Sequence, residues 1–125
     1  MGTDIKWHVE RLADGAWTEV RALSPGRHYD IFGALAGVRA DDVPVIAAPR
    51  GLPIDASEPV RNAHDEELAS LGMATWRASW LTLKELLAYD WSNVEPFADI
   101  MLASIRAMRE HGDPDNVRAV FWFSS

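Results

Sequence analysis

The chain is predicted to be α+β: a mainly antiparallel sheet with an N-terminal β-hairpin and a C-terminal strand, and helices packed on one face. Three observations predict this. Ile5, Trp7 and Val9 alternate with Asp4, Lys6, His8 and Glu10 ahead of Asp14-Gly15, a period-two strand running into a two-residue hairpin turn. Val117 to Phe123 repeats the alternation with large side chains on both faces, as a central strand requires. Between them, apolar residues recur at helical three-and-four spacing. With 125 residues and no internal repeat or low-complexity tract, residues 1–125 are expected to form one domain.

Each element has a local reason. The Asp-Gly turn sets the hairpin register: Ala13 faces Ala16, Glu10 faces Glu19 and Val9 faces Val20, and the pairing is expected to continue to Trp7–Ala22 and His8–Arg21. Ser24-Pro25-Gly26 breaks the strand. Tyr29 to Val38 follows as a buried helix, where Gly33 and Gly37 suggest close packing against the sheet. Residues 39–56 form a long loop pinned by Pro44, Pro49 and Pro53, with a short edge strand expected over 43–48. Ser57 is the N-cap of a helix to Leu71, stopped by Gly72. Met73 to Leu81 is extended, and Thr82-Leu83-Lys84-Glu85 is a capping box opening the next helix. Val94, Phe97, Met101, Ile105 and Met108 mark what is expected to be the longest helix, 94–111.

Composition narrows the function classes. Twelve basic against nineteen acidic residues give a formal charge of −7, which disfavours electrostatic binding of nucleic acid and favours a basic protein partner. No cysteine is present, so disulfides, thiolate metal sites and thiol nucleophiles are excluded. No apolar leader or membrane-length run is present; residence in a bacterial cytoplasm is expected. No cofactor or metal motif is found, and none is expected to be bound.

Two constellations could carry chemistry. Asp4, His8, Glu10 and Glu19 share the outer face of the hairpin, where carboxylates beside a histidine could hold a divalent ion or shift one another's pKa for acid/base work. The ordinary alternative is a solvated polar face. Arg27 and His28, just before a helix start, with Arg50 displayed between prolines, could hold an anion. Against that, Asp30 would repel it, and Arg50 could simply tie its loop to Asp55 or Glu58. A third group is electrostatic: Asp41, Asp42, Asp55, Glu58, Asp65, Glu66 and Glu67 form an acidic surface suited to partner binding.

Several stretches together resemble one family. Gly2-Thr3-Asp4-Ile5, Tyr29-Asp30-Ile31-Phe32, Pro49-Arg50-Gly51-Leu52-Pro53, Ser79-Trp80-Leu81-Thr82-Leu83, Tyr89-Asp90-Trp91 and the terminal Val120-Phe121-Trp122-Phe123 are similar to a family of bacteriophage and prophage proteins that begin Met-Gly-Cys-Asp-Ile-His. That resemblance brings no agreed activity. Family members usually have histidine where this chain has Lys6, commonly end Phe-Asp-Asn where it has Ser124-Ser125, and many are longer before the last helix. If the family site uses the first and last strands, two polar members are missing here, which favours binding over catalysis.

The expected function is that of a small phage-type accessory protein acting by protein binding. Its acidic surface would occupy a basic nucleic-acid-binding site on a host machine, such as a CRISPR effector, as anti-CRISPR inhibitors do. The competing expectation is a metal-assisted or acid/base hydrolase of a small or nucleotide-like substrate at Asp4, His8, Glu10 and Glu19.

Overall fold

The computed structural model describes residues 2–125. Four strands, β1 (Asp4–Ala13), β2 (Ala16–Val20), β3 (Thr75–Thr82) and β4 (Val117–Ser124), form one antiparallel sheet in the order β2-β1-β4-β3. The helices are α1 (Tyr29–Ala36), α2 (Glu58–Leu71), α3 (Leu83–Ala88) and α4 (Ala98–Arg109). The fold is α+β, as the alternation patterns predict. β4 is central and every residue in it is buried.

The hairpin register is the one set by Asp14-Gly15, with Val9 opposite Val20 and Glu10 opposite Glu19. Asp14 and Gly15 both take positive φ, as the turn demands. β2 ends at Val20, so the Trp7–Ala22 and His8–Arg21 pairs do not form. The first residue past β2 is held elsewhere: His111 Nε2 lies 2.8 Å from the Arg21 carbonyl oxygen.

Pleating divides the sheet into two unequal layers. Trp7, Val9, Val117, Ala119, Phe121 and Phe123 face α1, α3 and α4 and form the main core with Ile31, Phe32, Leu35, Leu86, Met101 and Ile105. Each buried Val, Leu, Ile, Phe or Met among them contributes roughly 1.5–3 kcal/mol on leaving water. The opposite face presents Val120, Trp122 and Trp80, and here α2 packs through Val60 and Ala63. The expectation that all helices lie on one face is therefore corrected: three do, and α2 covers the other. Among its residues only Val60 is fully buried.

Other departures have local causes. Pro96 forces Glu95 out of helical geometry, so α4 begins at Ala98 after a 3₁₀ turn over Trp91–Val94; its 12 residues make it shorter than α2, with 14. No strand forms over 43–48; Ile46 N–H instead bonds the Ala34 carbonyl, seating the loop on α1. Gly33 packs against Ala40 rather than the sheet, and Gly37 is the left-handed C-cap of α1. β3 carries a bulge between Trp76 and Ser79, where Arg77 has positive φ. No helix among the described residues is long and apolar enough to cross a membrane.

Candidate functional site

The sheet face beneath α2 holds a buried polar network. Glu10 is fully buried and sits opposite Arg118 in the β1–β4 register; Arg118 is 4% exposed. Arg118 Nε donates to Glu10 Oε1 at 2.8 Å, and its Nη1 donates to Asp55 Oδ1 at 3.0 Å. The other Glu10 oxygen accepts the backbone N–H of Ser57 at 2.7 Å. The guanidinium carbon lies over the Trp17 ring, 3.9 Å from its centroid. The cation that offsets Glu10, which faces Glu19 in the hairpin, is thus Arg118, from the far end of the chain.

A second network lies nearer solvent. Arg50 donates to both carboxylate oxygens of Glu85, at 2.8 and 2.6 Å, and to the Trp80 carbonyl at 3.0 Å, while stacking over the Trp80 ring. Glu85 also accepts the Thr82 N–H at 3.0 Å, and Thr82 Oγ1 accepts the Glu85 N–H, completing the predicted capping box. The Arg50 hydrogen bonds hold the Glu85 carboxyl down to about 2, and Glu85 in return raises Arg50. Arg50 does tie down its loop, but to Glu85 rather than to Asp55 or Glu58. A cavity of about 440 Å³ separates the networks, lined by Arg50, Leu52, Ile54, Trp80 and Arg118 among others. Its two guanidiniums already meet three carboxylates, so it offers an incoming anion no surplus positive charge.

The four outer-face residues of the hairpin divide among three partnerships. Asp4 pairs with Arg27 at 2.7 Å, Glu10 with Arg118, and His8 Nδ1 meets Glu19 Oε2 at 2.6 Å. Only His8 and Glu19 come together. The His8 ring stacks on Trp122, and His64 makes a T-shaped contact with the same indole. Among the described residues no group of three or more histidine or carboxylate side chains is placed to hold a metal.

Arg27 and His28 do share a cavity, of about 350 Å³, with Tyr29, Asp30 and Phe97; Arg50 is not part of it. Arg27 is committed to Asp4 and the His28 ring stacks on Phe97 at 4.6 Å. Tyr29 Oη accepts the Thr3 N–H, which together with Arg39 over its ring lowers the phenol pKa.

The acidic residues are distributed as a surface. Asp41, Asp42, Glu58, Asp65 and Glu66 are exposed and Glu67 is half-buried. Among the described residues none of these six is in an ion pair. Asp55 differs, because its carboxylate holds Arg118. The one cation of α2, Arg61, is turned to the Ile54 and Ala56 carbonyls. Comparison with protein-family models, curated proteins and solved structures finds no match.

Sequence reasoning missed Arg118, Trp17 and Ser57 as members of the buried network. Arg118 had one available signal: a strand pairing antiparallel with β1 would place an alternate residue of β4 opposite Glu10.

Proposed function

We propose that this chain is a small phage-type accessory protein that acts by binding. Its acidic α2 face, with Asp41 and Asp42 from the loop, would engage a basic nucleic-acid-binding site on a host protein, as an anti-CRISPR-like inhibitor does. The observation that supports this best is the run Asp65-Glu66 with Glu58 on α2: exposed, without ion-pair partners, and beside the half-exposed Leu68 and Leu71. Unpaired carboxylates around apolar side chains match a basic surface that normally meets phosphate, giving charge steering at the rim and contact area at the centre. The test is capture from bacterial lysate at low and moderate salt, with the triple variant Glu58→Gln, Asp65→Asn, Glu66→Gln as control. The reading expects a nucleic-acid-handling protein that is retained by the native chain, lost by the variant and displaced by duplex DNA. Recovery of no such protein overturns it.

A second reading, acid/base hydrolysis of a small or nucleotide-like substrate, rests on the short His8–Glu19 contact, a carboxylate orienting an imidazole. It expects hydrolysis of a phosphoester or nucleotide panel that disappears in His8→Gln. No turnover in the native chain removes it.

A further inference from the structure

The polypeptide between Gly51 and Gly72 is braced within itself and lightly held to the rest. Arg61 Nη2 donates to the Ile54 and Ala56 carbonyls, and the Ala56 N–H bonds the Pro53 carbonyl. The Arg61 N–H bonds the Ser57 carbonyl, so the turn at 53–56 and the start of α2 form one piece. Apart from the turn at 72–74 that continues α2, only two hydrogen bonds among the described residues join 52–71 to the remainder of the chain. They run from the Ser57 N–H to Glu10 and from Arg118 Nη1 to Asp55, and both end on the same buried ion pair. The other contacts are apolar and few. Ala56 and Val60 pack with Val120 and Trp122, with Leu52 and Ala63 beside them and His64 in T-shaped contact with the indole. The shorter α4 buries Ala98, Met101, Ser104, Ile105 and Met108; α2 buries Val60 alone.

Both ends of the piece are suited to turning. Arg50 and Gly51 are pinned to β3, through the Arg50 N–H on Ser79 Oγ and the Gly51 N–H on the Ala78 carbonyl, with the Arg50 side chain on Glu85. At that anchor Gly51 has φ +83°, and at the other end Gly72 has φ +56°. Adjacent residues aside, nothing lies within 4 Å of where a side chain would begin at either glycine. A change of backbone dihedral is absorbed there without a clash, as hinge positions require. Movement about these points leaves no orphaned charge. Glu10 and Arg118 belong to β1 and β4 and keep their 2.8 Å bond to each other when α2 lifts. Water then reaches both, so the cost of keeping two charges dry, present only in the closed form, offsets part of what the apolar contacts contribute.

We propose that residues 52–71 open and close as one unit over the second face of the sheet, hinged at Gly51 and Gly72 and latched by Glu10 and Arg118. Closed, the unit seals Val120 and Trp122, which are 0% and 1% exposed. Open, it presents Val120, Trp122 and Trp80 to solvent beside a hydrated ion pair. The other helices take no part, because the main core on the opposite face is intact in both forms. Glu58, Asp65 and Glu66 ride on the unit, so the acidic surface and the sheet face beneath it are linked by one movement.

Amide hydrogen exchange followed by NMR on the full chain tests this. The Ser57 N–H and the α2 amides from Arg61 to Leu71 should share one protection factor, roughly a hundred-fold or more below that of β4. Two variants separate opening of the unit from unfolding of the chain. Ile105→Val weakens the main core, which the open form retains; it should lower β4 protection about five-fold and leave that of α2 unchanged. Val60→Ala removes a contact present only in the closed form, and should lower both by the same factor. Protection of α2 equal to that of β4 would mean that the unit leaves only when the whole chain unfolds, and overturns the proposal. An α2 response to Ile105→Val as large as that of β4 does the same. So do α2 amides whose protection decays steadily towards Leu71 while Ser57 stays at the β4 level, since one helix end then frays over a closed latch. If Val60→Ala does not fold, the native chain and Ile105→Val decide between these outcomes.

Discussion

The N-termini of α2 and α3 use the same chemical device in opposite settings. At each, a glutamate accepts the backbone N–H of the N-cap residue and is itself held by an arginine. At α3 the parts are Thr82, Glu85 and Arg50, the glutamate lies three residues along, and both ionic side chains keep about a third of their surface in water. At α2 they are Ser57, Glu10 and Arg118. There the glutamate comes from a strand 47 residues away, and the pair is 0% and 4% exposed. The first is a local cap reinforced by a surface pair. In the second, a helix with one buried residue is fastened to the sheet by a desolvated carboxylate.

The largest mutational effect should fall at the buried device. Arg118→Ala leaves Glu10 buried without its cation, and Glu10→Ala leaves the Ser57 N–H unmatched and Arg118 with Asp55 as its remaining carboxylate; each should cost about 3–5 kcal/mol. Urea denaturation of the two single variants and the double variant measures this. The double variant should be less destabilised than the sum of the singles, since no buried charge is then left and only the Ser57 N–H lacks its partner. Singles that cost under about 1 kcal/mol would mean that the pair is as solvated as its counterpart at α3.

Next comes Arg50. Arg50→Ala loses the bidentate pair and the Trp80 stacking but leaves Glu85 free to be hydrated and to keep its bond to Thr82, so a loss of about 1–2 kcal/mol is expected. An effect as large as that at Arg118 would place the Arg50 loop among the main supports of the sheet.

The contrast also marks what the sequence makes visible. The α3 cap could be read outright, because Thr82 and Glu85 stand in the three-residue spacing that a helix start requires. The hairpin register was equally legible, because Asp14-Gly15 admits one alignment that keeps Val9 opposite an apolar residue. Glu10 was readable as a carboxylate facing Glu19 but not as buried. Its burial depends on α2 lying over that face, and its cation is supplied 108 residues later. The outer-face residues look alike in sequence, and only the third dimension separates Glu10, sealed under α2, from Asp4, exposed beside Arg27. The acidic surface was legible as charge; that Asp55 is spent on Arg118 was not.

Acid titration should report on the pair at α3. Glu85 has a folded pKa of about 2 against an ordinary 4.5, so its stabilisation is complete above the unfolded value and is lost as pH falls from about 4.5 towards 2. Solvent around the pair limits this to about 1 kcal/mol. Stability measured against pH should therefore show an acid limb that shrinks in Glu85→Gln. An unchanged limb would mean that the Arg50 pair contributes nothing measurable in solution.

The smallest effect is expected where the two caps appear most alike in sequence. Thr82 Oγ1 accepts the Glu85 N–H, so Thr82→Ala should cost about 1 kcal/mol. Ser57 occupies the same position on α2, yet its hydroxyl makes no capping bond and lies buried without a partner. What stabilises that helix start is the Ser57 backbone N–H on Glu10, which alanine retains. Ser57→Ala should thus change stability by less than about 0.5 kcal/mol, and removing an unsatisfied hydroxyl could make it slightly favourable. A loss of about 1 kcal/mol in paired denaturation curves would show that the Ser57 hydroxyl caps α2 in solution, and that Glu10 supplements a conventional cap where it otherwise stands in for one.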